Sequence, residues 1–214
     1  MALQRFPITN VDDIVGAYRD PAEKLYASLE LNQVGFPKTG MVVSQTPLGA
    51  AFTKANPCEN GMWVVADKAA GAINPPAAAT DSPIGIVYTT EKEYDYMHYG
   101  LQRFGRKIAG DYPRVGILGL GDTVTTNCLC YDDSENGFKA TGEGASAKTA
   151  EENMLETVAA YATTPVYVVV AANSAVPQLT KTDPEGVGTY GKVVKFYTVP
   201  NGGIGVKYQI VHLA

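Results

Sequence analysis

The chain has 214 residues, and its 45% apolar content is enough for a hydrophobic core that needs no disulfide or metal. A net charge of −5 and a charged fraction of only 18% argue against a protein that binds nucleic acid through clustered Lys and Arg. The longest apolar run, 166–172, is far shorter than the roughly 20 residues that span a bilayer, and the first residues lack the apolar stretch of a secretory signal. We therefore expect synthesis in a cytoplasm, no nucleic-acid or membrane partner, and no cofactor.

The N-terminal segment contains two signals for the start of a helix. Asn10 precedes two acidic residues, and Asp20 is followed by Pro21. These signals predict two short helices, or one interrupted helix, over about 11–31. Because the apolar residues of this segment form a stripe that must pack on something, we expect residues 1–34 to be an N-terminal helical arm.

Residues 35–214 have the pattern of a β-rich body, in which short apolar runs alternate with turn residues. The predicted strands are 40–44, 62–67, 84–89, 114–118, 123–131, 166–171, 191–199 and 205–213. The last two flank the sequence PNGG, whose Asn and Gly tolerate positive φ, so a tight hairpin is predicted there.

One internal helix is predicted at 150–162. Thr149 and Glu152 have the spacing of a capping box, and Met154 and Val158 belong to an apolar stripe at helical spacing. We therefore expect an α+β, predominantly β fold: a partly open β-barrel or sandwich with one capped helix and the N-terminal helical arm. A break between two subdomains near 142–148 is the alternative organisation.

The segment 116–137 contains apparent motifs for a dinucleotide and for a metal or redox pair. Gly119 and Gly121 begin a G-x-G-x-x-G pattern, but Val124 takes the third position and a β-branched run follows, which predicts a bend and a strand. Cys128 and Cys130 share one face of that strand without a histidine nearby. We expect the cysteines to be reduced, half-buried core residues.

The end of the same segment matches the template of a calcium loop, D-x-[DNS]-x-[DN]-G-x₅-E. The ligand positions are Asp132, Ser134, Asn136 and Glu143. Neither flank has a helical pattern, however, and Asp, Ser, Asn and Gly are also the residues of turns. The alternative prediction is a hairpin in which strand 127–131 returns through 137–141.

A further segment, 91–112, combines aromatic and basic residues in one short excursion between strands. Tyr, Met and Arg are enriched at interface cores because they bury a large area and keep a polar group. The predicted partner-binding residues are Tyr94, Tyr96, Met97, Tyr99, Arg103, Phe104 and Arg106. An aromatic cluster under a long loop is the alternative.

The sequence lacks the common catalytic motifs, and we expect a protein that is not an enzyme. Glu93, Asp95 and His98 are the residues from which a small hydrolase site would have to be built. Such a run of charges is more often a solvated face.

Four strings carry a resemblance to a known class: VVAD at 64–67, IGIVY at 84–88, GDTV at 121–124 and PNGGIGVKY at 200–208. In this order they resemble the auxiliary head proteins of tailed bacteriophages, the decoration or cement proteins of the capsid. The resemblance implies a non-enzymatic virion component that is made in the host cytoplasm and binds the major capsid protein, copies of itself, or both. A phage tail-tube or connector protein and a calcium-dependent binding module are the alternatives.

Overall fold

The computed structural model describes residues 3–5, 42–66, 68–88, 107–135, 137–198 and 204–214. Within these ranges the fold is mostly β, with strands in two sheets and one α-helix, which confirms the predicted β-rich α+β class. The strands are β1 (Leu3–Arg5), β2 (Val42–Val43), β3 (Trp63–Val65), β4 (Ile84–Val87), β5 (Val115–Ile117), β6 (Thr123–Thr126), β7 (Cys130–Asp132), β8 (Tyr167–Val169), β9 (Gln178–Thr180), β10 (Tyr190–Thr198) and β11 (Ile204–His212). The helix is α1 (Ala150–Ala159), and 3₁₀ turns occur at Lys68–Ala70 and Gly144–Ser146.

The larger sheet has seven strands in the order β1-β7-β9-β8-β10-β11-β6. Its longest pair, β10 and β11, is antiparallel, which confirms the predicted pairing of the two C-terminal strands. The turn between them, 199–203, lies outside the described residues. A register shift between Val193 and Lys195 places one extra residue in β10 and turns both Val194 and Lys195 outward.

The alternation of buried and exposed side chains along β11 explains why this part of the chain forms a strand. Val206, Tyr208 and Ile210 are buried, whereas Lys207 and Gln209 are on the opposite face. This alternation is the period of a strand with one face on the core. The larger sheet therefore has an inner face of apolar side chains and an outer face that carries lysines.

The smaller sheet has four antiparallel strands in the order β2-β5-β4-β3. Trp63 pairs with Ile86, and the two side chains face the inner side of the larger sheet. Val64 and Val87 point to the other side, so both faces of this sheet are buried. The four-stranded sheet thus separates two hydrophobic cores.

The first core lies between the two sheets and is completed by the helix, whose Met154 and Val158 are buried in it. The second core lies on the other face of the smaller sheet. There, Phe52 comes from a loop, and Ile73 and Cys58 come from isolated bridges. All three pack on Val87 and its neighbours.

Helix α1 begins as predicted and ends three residues earlier. The Thr149 hydroxyl accepts a hydrogen bond from the backbone N–H of Glu152, and the Glu152 carboxylate accepts one from the backbone N–H of Thr149. This reciprocal pair is the predicted capping box. Ala160 ends the helix, because the residues that follow it form turns.

The predicted strand 123–131 is wrong as a single element. β6 pairs with β11 at one edge of the larger sheet, whereas β7 pairs with β1 and, in parallel, with β9 near the other edge. The chain breaks at Asn127, where the N–H of Leu129 donates to the carbonyl of Asn127. The predicted hairpin of 127–131 with 137–141 is therefore also wrong, because β7 takes both of its partners from distant parts of the chain.

The remaining predictions concern the barrel, the N-terminal arm, the other strands and the subdomain break. The described strands do not close into a barrel, since each sheet keeps two edges. Residues 3–5, placed in the helical arm by the sequence, form strand β1, while the helix expected at 11–31 lies outside the described residues. Strand β9 was not predicted, and the subdomain break near 142–148 stays a prediction.

Candidate functional site

The loop after β7 contains the calcium-template residues, and Asp132 organises its first turn. One Asp132 oxygen, Oδ1, accepts from the backbone N–H of Ser134 at 2.9 Å, and Oδ2 accepts from the Ser134 hydroxyl at 2.9 Å. Asp132 itself is buried. Its carboxylate therefore acts as the cap of an Asx turn.

Gly137, the turn residue of the template, has a steric role. A Cβ atom at this position would collide with the backbone carbonyl of Asp132. The same carbonyl accepts a hydrogen bond from the N–H of Phe138 at 2.7 Å, and the Phe138 ring packs edge-on against Tyr131 in the first core. A hydrogen bond and core packing therefore hold the two ends of the loop together.

The structure brings Asp132 and Ser134 together but places Glu143 on the surface, just before a 3₁₀ turn, and Asn136 is outside the described residues. Across the described ranges, no three side chains from His, Cys, Asp and Glu gather in a way that could hold a metal ion. Because the template also uses Ser and Asn oxygens, calcium binding by this loop stays a prediction.

A shallow cleft of about 280 Å³ opens between this loop and helix α1. Asn153 bridges its walls, because its amide donates to the carbonyl of Lys139 and to the hydroxyl of Thr141. Lys139 is ion-paired with Glu135, and the Lys181 ammonium lies 5.3 Å from the centroid of the Phe138 ring. Most of the polar side chains that line the cleft therefore already interact with other groups of the chain.

The cysteines are more deeply buried than predicted. Cys58, Cys128 and Cys130 are free thiols in the second core. Burial, reinforced by the neighbouring Cys128 and Glu59, raises the pKa of the Cys58 thiol well above its ordinary value. A thiol held protonated is a poor nucleophile and a poor metal ligand, so Cys58 acts as a small core residue.

The glycine-rich segment forms a turn before β6, as predicted. Gly121 has φ +89°, a conformation that favours glycine, and the backbone N–H of Gly119 donates to Asp122 Oδ2 at 2.7 Å. Asp122 is fully buried, and its burial raises the pKa of its carboxyl group, while the Gly119 hydrogen bond acts in the opposite direction. The Asp122 carboxylate therefore stabilises the turn through its hydrogen bond with the Gly119 backbone.

The predicted partner-binding segment lies outside the described residues. It comprises Tyr94, Tyr96, Met97, Tyr99, Arg103, Phe104 and Arg106. The hydrolase candidates Glu93, Asp95 and His98 lie there too. These predictions stay predictions.

The sequence pattern missed a group of exposed apolar side chains around the C-terminal end of β11. We call it the C-terminal apolar patch: Leu120 (46% exposed), Val187 (57%), Val211 (42%) and Leu213 (36%). The adjacent apolar residues at positions 210 and 211 could have indicated an exposed apolar side chain. Neighbouring residues of a strand face opposite sides, so one of the two must point outward.

Hydrogen bonds hold the loops of the patch next to β11. On one side, the N–H of Gly121 donates to the carbonyl of Ile210 at 2.9 Å, which places Leu120 beside the strand. On the other side, His212 Nδ1 lies 2.7 Å from the carbonyl of Gly188, which places Val187 there. The four exposed apolar residues therefore lie near the same end of one strand, where they form a candidate interaction surface.

In the portion of the chain that the structure describes, helices are too short or too polar to cross a bilayer. The chain matches no protein family, no curated protein and no solved structure at a significant level.

Proposed function

We propose that the chain is a non-enzymatic structural protein of a tailed-bacteriophage virion, a decoration or cement protein that binds and stabilises the shell of major capsid protein. The class comes from the resemblance of the four strings described above. The observation that carries the proposal is the C-terminal apolar patch. Covering exposed apolar side chains with a partner removes them from water, which stabilises the complex.

Several ionisable groups of the described residues have structural roles. Asp122 and Asp132 close turns, Glu152 caps a helix, and Cys58 is buried. His212 stacks on Tyr190, with ring centroids 5.2 Å apart. A decoration protein acts mechanically, since each copy adds buried area across joints between capsid subunits.

The finer architecture belongs to the same proposal. We place the helix predicted over about 11–31 and the partner-binding segment around 94–106 in additional contacts with the shell. A β-rich body with long connecting segments gains order when those segments are buried against neighbours.

The direct test is co-sedimentation of the purified chain with capsid shells that lack it. We expect binding by the native chain and at least a tenfold loss of affinity for the triple variant Val187→Ser, Val211→Ser, Leu213→Ser, because each substitution removes apolar area from the patch. The control is Val42→Ser, a similarly exposed apolar residue outside the patch.

Two results would overturn the proposal. One is a native chain that stays in the supernatant with every shell tested. The other is formation of open rings by the purified chain in electron micrographs, which would favour the tail-tube or connector alternative.

A further inference from the structure

We propose that the outer face of the β10–β11 hairpin binds the acidic segment 132–156 of a second copy of this chain, in a head-to-tail contact. The inference concerns contacts between copies, and it goes beyond shell binding by the C-terminal apolar patch.

The first observation is a separation of charge along the sequence. Strands β10 and β11 contain three lysines and no carboxylate, although the chain as a whole has a net charge of −5. Residues 132–156, by contrast, contain seven carboxylates and only two lysines. Each copy therefore carries one acidic region and one lysine-rich region, in which Lys192 lies near Asp183 and the other two lysines form the cationic part.

The second observation is an unfavourable pair within the cationic region. Lys195 and Lys207 are directly opposite each other in the antiparallel register. Like charges at such positions destabilise a sheet. The Lys195 ammonium lies 5.5 Å from the Tyr197 ring centroid, and among the residues that the structure describes neither lysine forms an ion pair.

The third observation is that the fold keeps the two regions apart within one molecule. Met154 and Val158 bring helix α1 onto the inner face of the larger sheet, beside Val193 and Tyr208. Lys207 lies on the opposite face of the same strands. Because the sheet stands between them, these lysines cannot be neutralised by the helix of their own chain.

The acidic segment has the exposure that the contact requires. Glu143 and Glu151 are exposed. The side chains of Glu135 and Glu156 are 81% and 61% exposed, although each is ion-paired with a lysine of the same segment. Val194, 41% exposed beside Lys195, adds apolar area to the cationic face. Because the two surfaces are different, the contact is heterologous, and its repetition produces rings or filaments.

The test is sedimentation of the full chain at low and high salt. At about 0.01 M ionic strength, where the Debye length is about 30 Å, we expect oligomers, and at about 1 M, where it is about 3 Å, we expect monomers. The variant Lys195→Glu, Lys207→Glu is expected to be monomeric at both. Lys54→Glu, an exposed lysine outside the hairpin, is the control and should associate like the native chain.

A charge-swap mixture identifies the partner surface. The variant Glu135→Lys, Glu151→Lys should also be monomeric alone, whereas its mixture with Lys195→Glu, Lys207→Glu should form oligomers, because each variant then offers a complementary surface to the other. Recovery in the mixture also shows that both variants are folded.

Three results would overturn the inference: a native chain that is monomeric at low salt, a lysine variant that associates like the native chain, or a mixture without recovery. The shell co-sedimentation assay separates this inference from the proposed function. A chain that binds shells but does not self-associate contradicts only the inference, and one that self-associates but ignores shells contradicts only the proposed function.

Discussion

The two hydrophobic cores of this protein are built in different ways. In the first core, strand residues of both sheets meet face to face, and Trp63 Nε1 donates a hydrogen bond of 2.9 Å to the hydroxyl of Tyr208. In the second core, loops and isolated bridges cover one face of the four-stranded sheet, and Phe52, Ile73 and the three cysteines pack against that face. The first core therefore depends on large side chains that the two sheets bring together. The second core also depends on the close approach of β4 and β5, where Gly85 lies against Val115.

The largest expected effect is in the first core. Trp63→Ala should lower the free energy of unfolding by about 4 kcal/mol, because it leaves a cavity and removes the donor that pairs with the buried Tyr208 hydroxyl. Chemical denaturation measures it. Tyr208→Phe, which removes only the hydroxyl, is the control and should cost about 1 kcal/mol. Similar losses for the two variants would contradict this account of the first core.

The second core should instead be sensitive to added volume. A Cβ atom at Gly85 would collide with Val115 Cγ1, so Gly85→Ala should cost about 2 kcal/mol through overpacking. The same substitution in a Val115→Ala background should cost clearly less, because the colliding methyl group is absent. Equal costs in the two backgrounds, measured in a double-mutant cycle, would show that the strand does not approach so closely.

Alkaline pH should act on both cores. Burial raises the pKa of Cys58 in the second core, and burial, partly opposed by the Trp63 hydrogen bond, raises the pKa of Tyr208 in the first. The stability that this provides is complete below the unfolded pKa values, about 8.5 for Cys and about 10 for Tyr. As the pH rises above them, the unfolded chain ionises first and stability is lost.

The expected loss is roughly 1 kcal/mol per pH unit for each group. Denaturation at a series of pH values measures this slope. Cys58→Ala should reduce the slope between about pH 8.5 and 10, and Tyr208→Phe should reduce it only at higher pH. A slope unchanged by Cys58→Ala would contradict the burial of this thiol.

A smaller effect is expected at the helix that completes the first core. Thr149→Ala removes half of the capping box and should cost about 1 kcal/mol. Thr80→Ala, at an exposed loop position, should be neutral and serves as the control. If the two variants unfold at the same denaturant concentration, the cap does not stabilise the helix.

The smallest expected effect concerns calcium. The Asp132 carboxylate already accepts two hydrogen bonds from Ser134, so we expect no heat when Ca²⁺ is added to millimolar concentration in a calorimeter. Heat that disappears in Asp132→Asn would instead establish the calcium loop and would add a metal to the loop that carries Phe138 into the first core.

Local patterns in the sequence predicted the elements that are stabilised by near neighbours. The pairing of the two C-terminal strands and the capping box of Thr149 and Glu152 are correct because their defining interactions join residues close in the chain. The strand pattern of 84–89 was also sufficient, with β4 at Ile84–Val87. Alternation and turn residues contain the information for such elements.

The candidate site was less predictable, because contacts between distant segments of the chain bring its residues together. The sequence placed Asp132 and Ser134 in a turn, as found, but gave β7 the wrong partners. It also missed the C-terminal apolar patch, because Leu120 and Val187 reach β11 only through hydrogen bonds between distant segments.

By itself, therefore, the sequence determined the β-rich class, the capped helix, the terminal hairpin and the uneven distribution of charge. Tertiary structure decided that 123–131 divides between two edges of one sheet, and that the lysines of β10 and β11 face away from the acidic helix. The physical reason is that strand pairing over long separations and the burial of one face are collective, and neither has a local period that would indicate the partner.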